Sequence, residues 1–447
     1  MARRRKKPLS REPQLAVITD LTHDGKGVAH IEGKTVFIRS ALPEEEVEFI
    51  YTRKRRQYDE GNLHQVIKAS PLRIDAKCVH FSICGGCSLQ HLSCDEQIKQ
   101  KQKILLDNLQ RIGHVDVQTV RSPLSGPHWG YRRKARLGVK YVEKKGKVLI
   151  GFREKGTSYL ADLLSCEVLH PSVGQRLTEL SVLVRSLSCY QAIPQIEVAV
   201  GDSSTALVFR HLESLTDDDK EKLTSFAKNI NVDIYLQSGG PDTITPLWPT
   251  SPELYYELQN YGIRNDFLPT DFVQVNAEIN ENIIPDVIAA LKCDKNDHVL
   301  ELFCGLGNFT LPIAQNVASV TAIEGEASLI ERAKANAKKN NVNNVDYYVA
   351  NLMDDVKSLP WWNSKKYSAV FLDPPRSGAE QVIPMIAAKK IPRIVYVSCN
   401  PATLARDAGL LVNEFGYTLV EAGVMDMFPH TAHVESIAIF SLKKKGK

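Results

Sequence analysis

Between residues 12 and 69 apolar and polar positions alternate in short runs, "QLAVITDL", "GKGVAHI", "KTVFIRSA", "EEVEFIYTRK" and "GNLHQVIKAS", separated by Gly, Pro and charged turns. Alternation at period two predicts half-buried strands, and five strands so closely spaced predict a small barrel of the OB type over 9–69. A loop-like segment over 70–95 follows. "DEQIKQKQKILLDNLQRIG" then carries apolar positions at helical spacing and predicts an amphipathic helix. Strand and helix patterns mix between 129 and 265, where "QIEVAVGDSSTALVFRH" reads as a hairpin turning at "GDSS". From 272 onward the rhythm changes, and "HVLELFC", "SVTAIEG", "VDYYVAN", "YSAVFLD", "RIVYVSC", "TLVEAGVM" and "SIAIFSL" alternate with helical segments. Such alternation predicts a mainly parallel sheet covered on both faces, an α/β domain of the doubly wound, Rossmann-like kind. The expected organisation is a barrel over 9–69, a central α+β domain over 70–270 and the α/β domain over 271–447.

Composition agrees with several globular units: 447 residues exceed one ordinary core, and 43% hydrophobic with 24% charged residues are ordinary values. No apolar run approaches the roughly 20 residues of a membrane helix, so no membrane partner is expected. The basic start "MARRRKKPLSREPQ" lacks the apolar segment of a signal peptide, and a cytoplasmic location is expected. Nine cysteines, unevenly spread, argue against a disulfide framework. The net charge is only +4, yet residues 131–156 hold ten Lys or Arg against two Glu. A second basic cluster, Arg53 to Arg56, lies near Tyr58. A solvated face has the same composition, but two clusters in separate regions favour a nucleic-acid partner.

The first strand of the α/β region runs into a glycine-rich turn, "LFCGLGNFT", and Glu324 ends the next strand 19 residues after Gly305. An acid so placed bonds ribose hydroxyls in doubly wound nucleoside sites. A dinucleotide fingerprint needs a third glycine against a pyrophosphate, and only Gly305 and Gly307 are present. S-adenosylmethionine has no phosphate, so a methyltransferase is favoured over a dehydrogenase.

Asp373 in "VFLDPPRSG" and Cys399 in "VSCNPATLARD" end two further strands, where ligands of open α/β sheets bind. Asn400 and Pro401 suit a helix N-cap and first turn, so Cys399 is expected beside a helix N-terminus that favours its thiolate. Arg376 stands after the two prolines, where methyltransferases acting on adenine amino groups commonly carry an aromatic. A thiolate adding to carbon 6 of a pyrimidine makes carbon 5 able to attack a methyl group. A base must then remove the carbon 5 proton, and "HTAHVES" offers Glu435, with His430 and His433 as weaker candidates.

Cys78, Cys84 and Cys87 have the spacing of three ligands of one metal centre, with Cys94 or Cys166 as the fourth. Zinc and an iron–sulfur cluster both satisfy this spacing. Cys189, Cys293 and Cys304 read as packing residues.

"CGGCSLQH", "YRRKARL", "DFVQVN", "LFCGLGNFT", "DPPRSG", "VSCNPATLARD" and "FPHTAHVES" occur in this order, and together the chain resembles the RNA uracil-C5 methyltransferases over nearly its whole length. The resemblance implies an N-terminal TRAM domain, Cys399 as nucleophile and Glu435 as base. It further implies a [4Fe–4S] cluster on Cys78, Cys84, Cys87 and Cys166, and S-adenosylmethionine surrounded by Gln274, Phe303, Asn308, Glu324, Asn351 and Asp373. Glu301 stands where relatives often have Asp. Transfer-RNA members are expected to lack the cluster and the TRAM domain, so having both points to 23S ribosomal RNA as substrate, with the enzyme acting as a monomer.

Overall fold

The structure, a computed structural model, describes residues 9, 11–354 and 359–443. Residues 1–8 of the basic start and residues 444–447 lie outside the described residues.

The barrel forms as predicted, with one refinement. Its first strand is broken into Gln14–Val17 and Asp20–Leu21. The first half pairs antiparallel with Glu46–Lys54 and the second with Lys26–Ile31, so a single bent segment joins both edges and closes the sheet. Alternate positions fill the interior, including Val36, Ile38, Val47 and Phe49. Gly61 lies against the Phe49 ring, where an added Cβ would come within 2.4 Å of a ring carbon. Arg53 to Arg56 protrude from the hairpin joining Glu46–Lys54 to Tyr58–Lys68, all four exposed.

The central sheet runs, in spatial order, Ile244–Trp248, Asp233–Gln237, Thr205–Arg210, Gln195–Val200, Lys134–Val142 and Lys147–Gly151. The predicted hairpin is present, with Val200 opposite Thr205 across the "GDSS" turn.

The C-terminal sheet has eight strands, ordered Val345–Val349, Ser319–Glu324, His298–Leu302, Ala369–Leu372, Arg393–Ser398, Glu435–Leu442, Tyr417–Met425 and Thr119–Val120. The first five are parallel, and Glu435–Leu442 runs antiparallel between its neighbours. Ala369–Leu372 and Arg393–Ser398 are buried at every position, as strands covered on both faces must be. The eighth strand comes from the segment assigned by its sequence to the central domain. Helix Cys94–Arg111 does the same, burying Ile98, Leu105 and Leu109 in the core that holds Tyr396, Leu404 and Ala422. Residues 94–120 therefore pack with the C-terminal α/β layer. Their amphipathic face has its apolar complement there and not in the neighbouring chain.

Candidate active site

Strand Arg393–Ser398 ends at Cys399, and Asn400 caps helix Pro401–Gly409, its side chain accepting from the Ala402 N–H at 3.1 Å. Asp407, fully buried in that helix, accepts from the Tyr396 hydroxyl and the Ala379 N–H, both at 2.7 Å. Helix and strand are thus tied on both sides of the cysteine. In the antiparallel register Ser398 pairs with Ser436, which brings Cys399 opposite Glu435. Asp373 follows the neighbouring strand Ala369–Leu372 at the same sheet edge.

The electrostatics correct one expectation. Burial, then the Glu435 and Asp373 carboxyls, push the Cys399 thiol up to about 11, against the lowering influence of Arg376. The helix N-terminus alone does not yield a thiolate, because desolvation and two acids outweigh it. Burial also raises Glu435 to about 8, with Asp373 adding to the rise, and raises Asp373 to about 7. Both carboxyls hold their protons into the neutral range.

Both histidines are held in their neutral form. His430 is buried, stacked on Trp129 with ring centroids 3.8 Å apart, and burial lowers it to about 4. His433 Nδ1 lies 3.1 Å from the Arg376 guanidinium, and desolvation followed by the Arg376 and Arg132 cations lowers it to about 4. The Arg376–His433 contact was not foreseen, although both residues lie in the ordered set of signature stretches.

At the other end of the same edge, Phe303, Gly305 and Gly307 hold φ values of 65°, 55° and 100° in the turn after His298–Leu302. Glu324 closes the next strand, and its carboxylate accepts from the N–H of Gly305 at 3.1 Å and of Gly325 at 2.7 Å. Asn351 is exposed and accepts from the Met353 N–H at 3.1 Å. Asn308 forms a reciprocal amide pair with Asn280, at 2.9 and 2.8 Å, and accepts from the Tyr256 hydroxyl at 2.9 Å. Its amide is thereby committed to the scaffold. Gln274 lines a cavity of about 240 Å³ together with Arg133 and with Tyr256 and Asn280, the two partners of Asn308. Glu301, buried below the turn, is raised by that burial to about 8.

Cys78, Cys84, Cys87 and Cys166 line one cavity of about 450 Å³, which His433 and Arg132 also border. All four are free thiols, and Cys94 is not among the lining residues. Burial raises Cys84 and Cys166 and pushes Cys87 up to about 12, an environment that calls for a cationic partner before these sulfurs ionise. Among the described residues no three or more His, Cys, Asp or Glu are gathered to hold a single metal ion. The four thiols border the same cavity, and thiolates are the ligands common to zinc and iron–sulfur centres. Cys189 and Cys304 are buried and Cys293 packs against the core, as read.

The basic stretch 131–156 is less available than its composition suggests. Arg133 pairs with Asp202, Lys134 and Arg136 with Glu197, and Lys145 and Lys147 with Asp162. Half of its ten cations are thus partnered within the protein.

Sheet order and the ligand edge together define a methyltransferase of the S-adenosylmethionine-dependent α/β class. Residues 255–444 match the family described as tRNA (Uracil-5-)-methyltransferase, and residues 10–63 match the TRAM domain. The chain is 49% identical to the 23S rRNA (uracil(1939)-C(5))-methyltransferase RlmD of Methylococcus capsulatus, covering 98% of this chain and 99% of that one. It is 51% identical to the protein of the same name from Nitrosococcus oceani, over 99% of each. The solved Pyrococcus abyssi tRNA (uracil-54, C5)-methyltransferase, in complex with S-adenosyl-L-homocysteine, superposes with a TM-score of 0.72 at 25% identity, over 95% of this chain and 99% of that one. This protein belongs to the RNA uracil-C5 methyltransferase family. The Pyrococcus match spans nearly the whole chain, barrel included, so domain content does not separate transfer-RNA from ribosomal-RNA members as expected from the sequence.

No described helix is long and apolar enough to cross a membrane.

Proposed function

We propose that this protein transfers a methyl group from S-adenosylmethionine to carbon 5 of one uridine in 23S ribosomal RNA, at the position corresponding to uracil 1939, through a covalent adduct on Cys399. The observation that carries this reading is the opposition of Cys399 and Glu435 across adjacent strands at the ligand edge of the sheet. Near-full-length identity of about 50% to enzymes named for that uracil supports the substrate.

Cys399 reacts as the thiolate, its proton released to solvent: Sγ adds to carbon 6 of the uracil, and the ring electron pair moves toward the carbon 4 oxygen, leaving carbon 5 nucleophilic. S-adenosylmethionine supplies the electrophilic methyl group, held at the edge bearing Phe303, Glu324, Asn351 and Asp373. Arg376 opposes the acids around Cys399 and favours its ionised form. Glu435 then takes the carbon 5 proton. The released pair restores the ring double bond and expels Cys399 as thiolate. A carboxyl raised to about 8 is a stronger base than an ordinary one once it has ionised, so the rate of this last step should climb with pH until about 8.

Cys78, Cys84, Cys87 and Cys166 hold a [4Fe–4S] cluster in this reading, and the raised thiols around one cavity support it. His433 and Arg132 line the same cavity, so a cluster held there would lie beside the active-site rim. The enzyme acts as a monomer in the cytoplasm.

The test is to map 5-methyluridine in 23S ribosomal RNA from cells with and without this gene, and to restore it in vitro with purified protein and labelled cofactor. Methyl present at uracil 1939 without the gene, or label on another nucleotide, would overturn the assignment.

A further inference from the structure

Residues 426–434 connect strand Tyr417–Met425 to strand Glu435–Leu442, and three successive carbonyls in this connection are held by the segment 88–131. Lys101 Nζ donates to the Phe428 carbonyl at 2.9 Å, the Tyr131 hydroxyl to the Pro429 carbonyl at 2.9 Å, and the N–H groups of Ser88 and Leu89 to the His430 carbonyl at 2.9 and 3.0 Å. Lys101 also forms an ion pair with Asp426 at 2.7 Å, both side chains only 1% exposed. One turn earlier on the same helix, Gln97 is fully buried and accepts from the His430 N–H at 2.7 Å. Its amide nitrogen lies 3.3 Å from His430 Nδ1 and donates to the Leu89 and Leu92 carbonyls.

Two physical points separate this clamp from ordinary packing. His430 holds φ 66°, a conformation that side-chain-bearing residues rarely adopt, so the connection is kept in a shape it would not choose locally. A buried Lys–Asp pair gives little net stability over apolar residues of the same volume, so stability alone does not explain its presence. What the pair does supply is direction, since one ammonium fixes both Asp426 and the Phe428 carbonyl at the start of the short path leading into Glu435.

We propose that Lys101 and Gln97 are positioning residues for the proton-removal step, holding the 426–434 connection so that the Glu435 carboxyl meets the carbon 5 proton. This rests on Glu435 being the base.

The experiment is single-turnover methylation of a 23S ribosomal RNA fragment bearing ordinary uridine, reading both methyl transfer and the covalent protein–RNA adduct on denaturing gels. Lys101→Met combined with Asp426→Leu replaces the ion pair by apolar volume. The double variant should keep its thermal midpoint and cofactor affinity close to wild type and transfer methyl normally. Elimination should slow by roughly 10- to 100-fold, the scale of a small misplacement of a reacting group, and adduct should accumulate. Gln97→Met, with the ion pair intact, should give the same partition and covers the case in which the double variant does not fold. A merely structural role would slow both steps together, without adduct, and that result overturns the proposal. Glu435→Gln is run alongside. Stalled elimination there beside normal elimination in the Lys101 and Gln97 variants refutes the positioning role alone, whereas normal elimination by Glu435→Gln removes the base assignment and the proposal with it.

Discussion

Cys399 and Glu435 stand one residue beyond the antiparallel Ser398–Ser436 pair, and the Glu435 carboxyl acts on the thiol although 36 positions of sequence separate the two. A thiol and a carboxyl at one sheet edge are the two groups that an addition and elimination sequence on a pyrimidine requires, and the reaction should come apart when either is changed.

Replacement of Cys399 by Ala removes the nucleophile. Turnover should fall by more than about 10³-fold. RNA bearing 5-fluorouracil, which offers no carbon 5 proton, should form a gel-resistant adduct with wild type and none with Cys399→Ala. Cofactor binding and thermal stability should change little. Normal methylation by the alanine variant would end the covalent mechanism.

Glu435 carries a pH signature of its own. Burial holds it at about 8 against an ordinary 4.5. Between those values the unfolded chain releases a proton that the folded chain keeps. The stability from this group is therefore complete below about pH 4.5 and is lost as pH rises through about 8. Thermal midpoints followed from pH 5 to 9 should fall less steeply in Glu435→Gln than in wild type. Parallel profiles would show that the native carboxyl is ionised at neutral pH.

For the cysteine cavity the contrast lies between Cys166 and Cys94. Purified protein should be brown and carry iron and sulfide, and Cys166→Ser should lose both, because one of the four proposed thiol ligands is removed. Cys94→Ser, outside the cavity, should retain both. Equal iron in wild type and Cys166→Ser would exclude this ligand set.

RNA affinity should depend on salt through the barrel tip more than through the central strand. Arg53, Lys54, Arg55 and Arg56 are all exposed, whereas Arg133 and Lys134 are engaged with Asp202 and Glu197. Changing the four tip residues to Ala should lower the slope of log affinity against log salt by about two to three, at somewhat under one unit per phosphate contact. Arg133→Ala with Lys134→Ala should lower it by less. The reverse order would place the phosphate path over the central sheet.

Strands, their order of appearance and the reactive pair could be read from the chain because period-two and continuous apolar runs report burial locally. The Cys399 pKa could not, since it depends on which acids the fold brings near, and Asp373 and Glu435 lie 26 and 36 residues away. The barrel break at Ile18 left no local mark either. Lys101 and Gln97 were legible only in hindsight. They continue the i, i+4 row of Leu105 and Leu109 on the buried face of helix Cys94–Arg111, a position where polar residues need specific partners. Which partners those are is a long-range fact.

Helix Cys94–Arg111 reaches its ion-pair partner Asp426 across 325 positions of sequence. A ribosome adding roughly 5 to 20 residues per second needs on the order of 15 seconds to a minute to make that stretch. Throughout this interval Ile98, Leu105 and Leu109 have no native surface to meet, because the strands and helix that cover them do not yet exist. The barrel can close at once from its own 55 residues, Gln14 to Lys68. The catalytic layer can form only when synthesis is nearly finished, so the nascent chain carries an uncovered apolar helix face for most of its birth and is a natural client for holding chaperones.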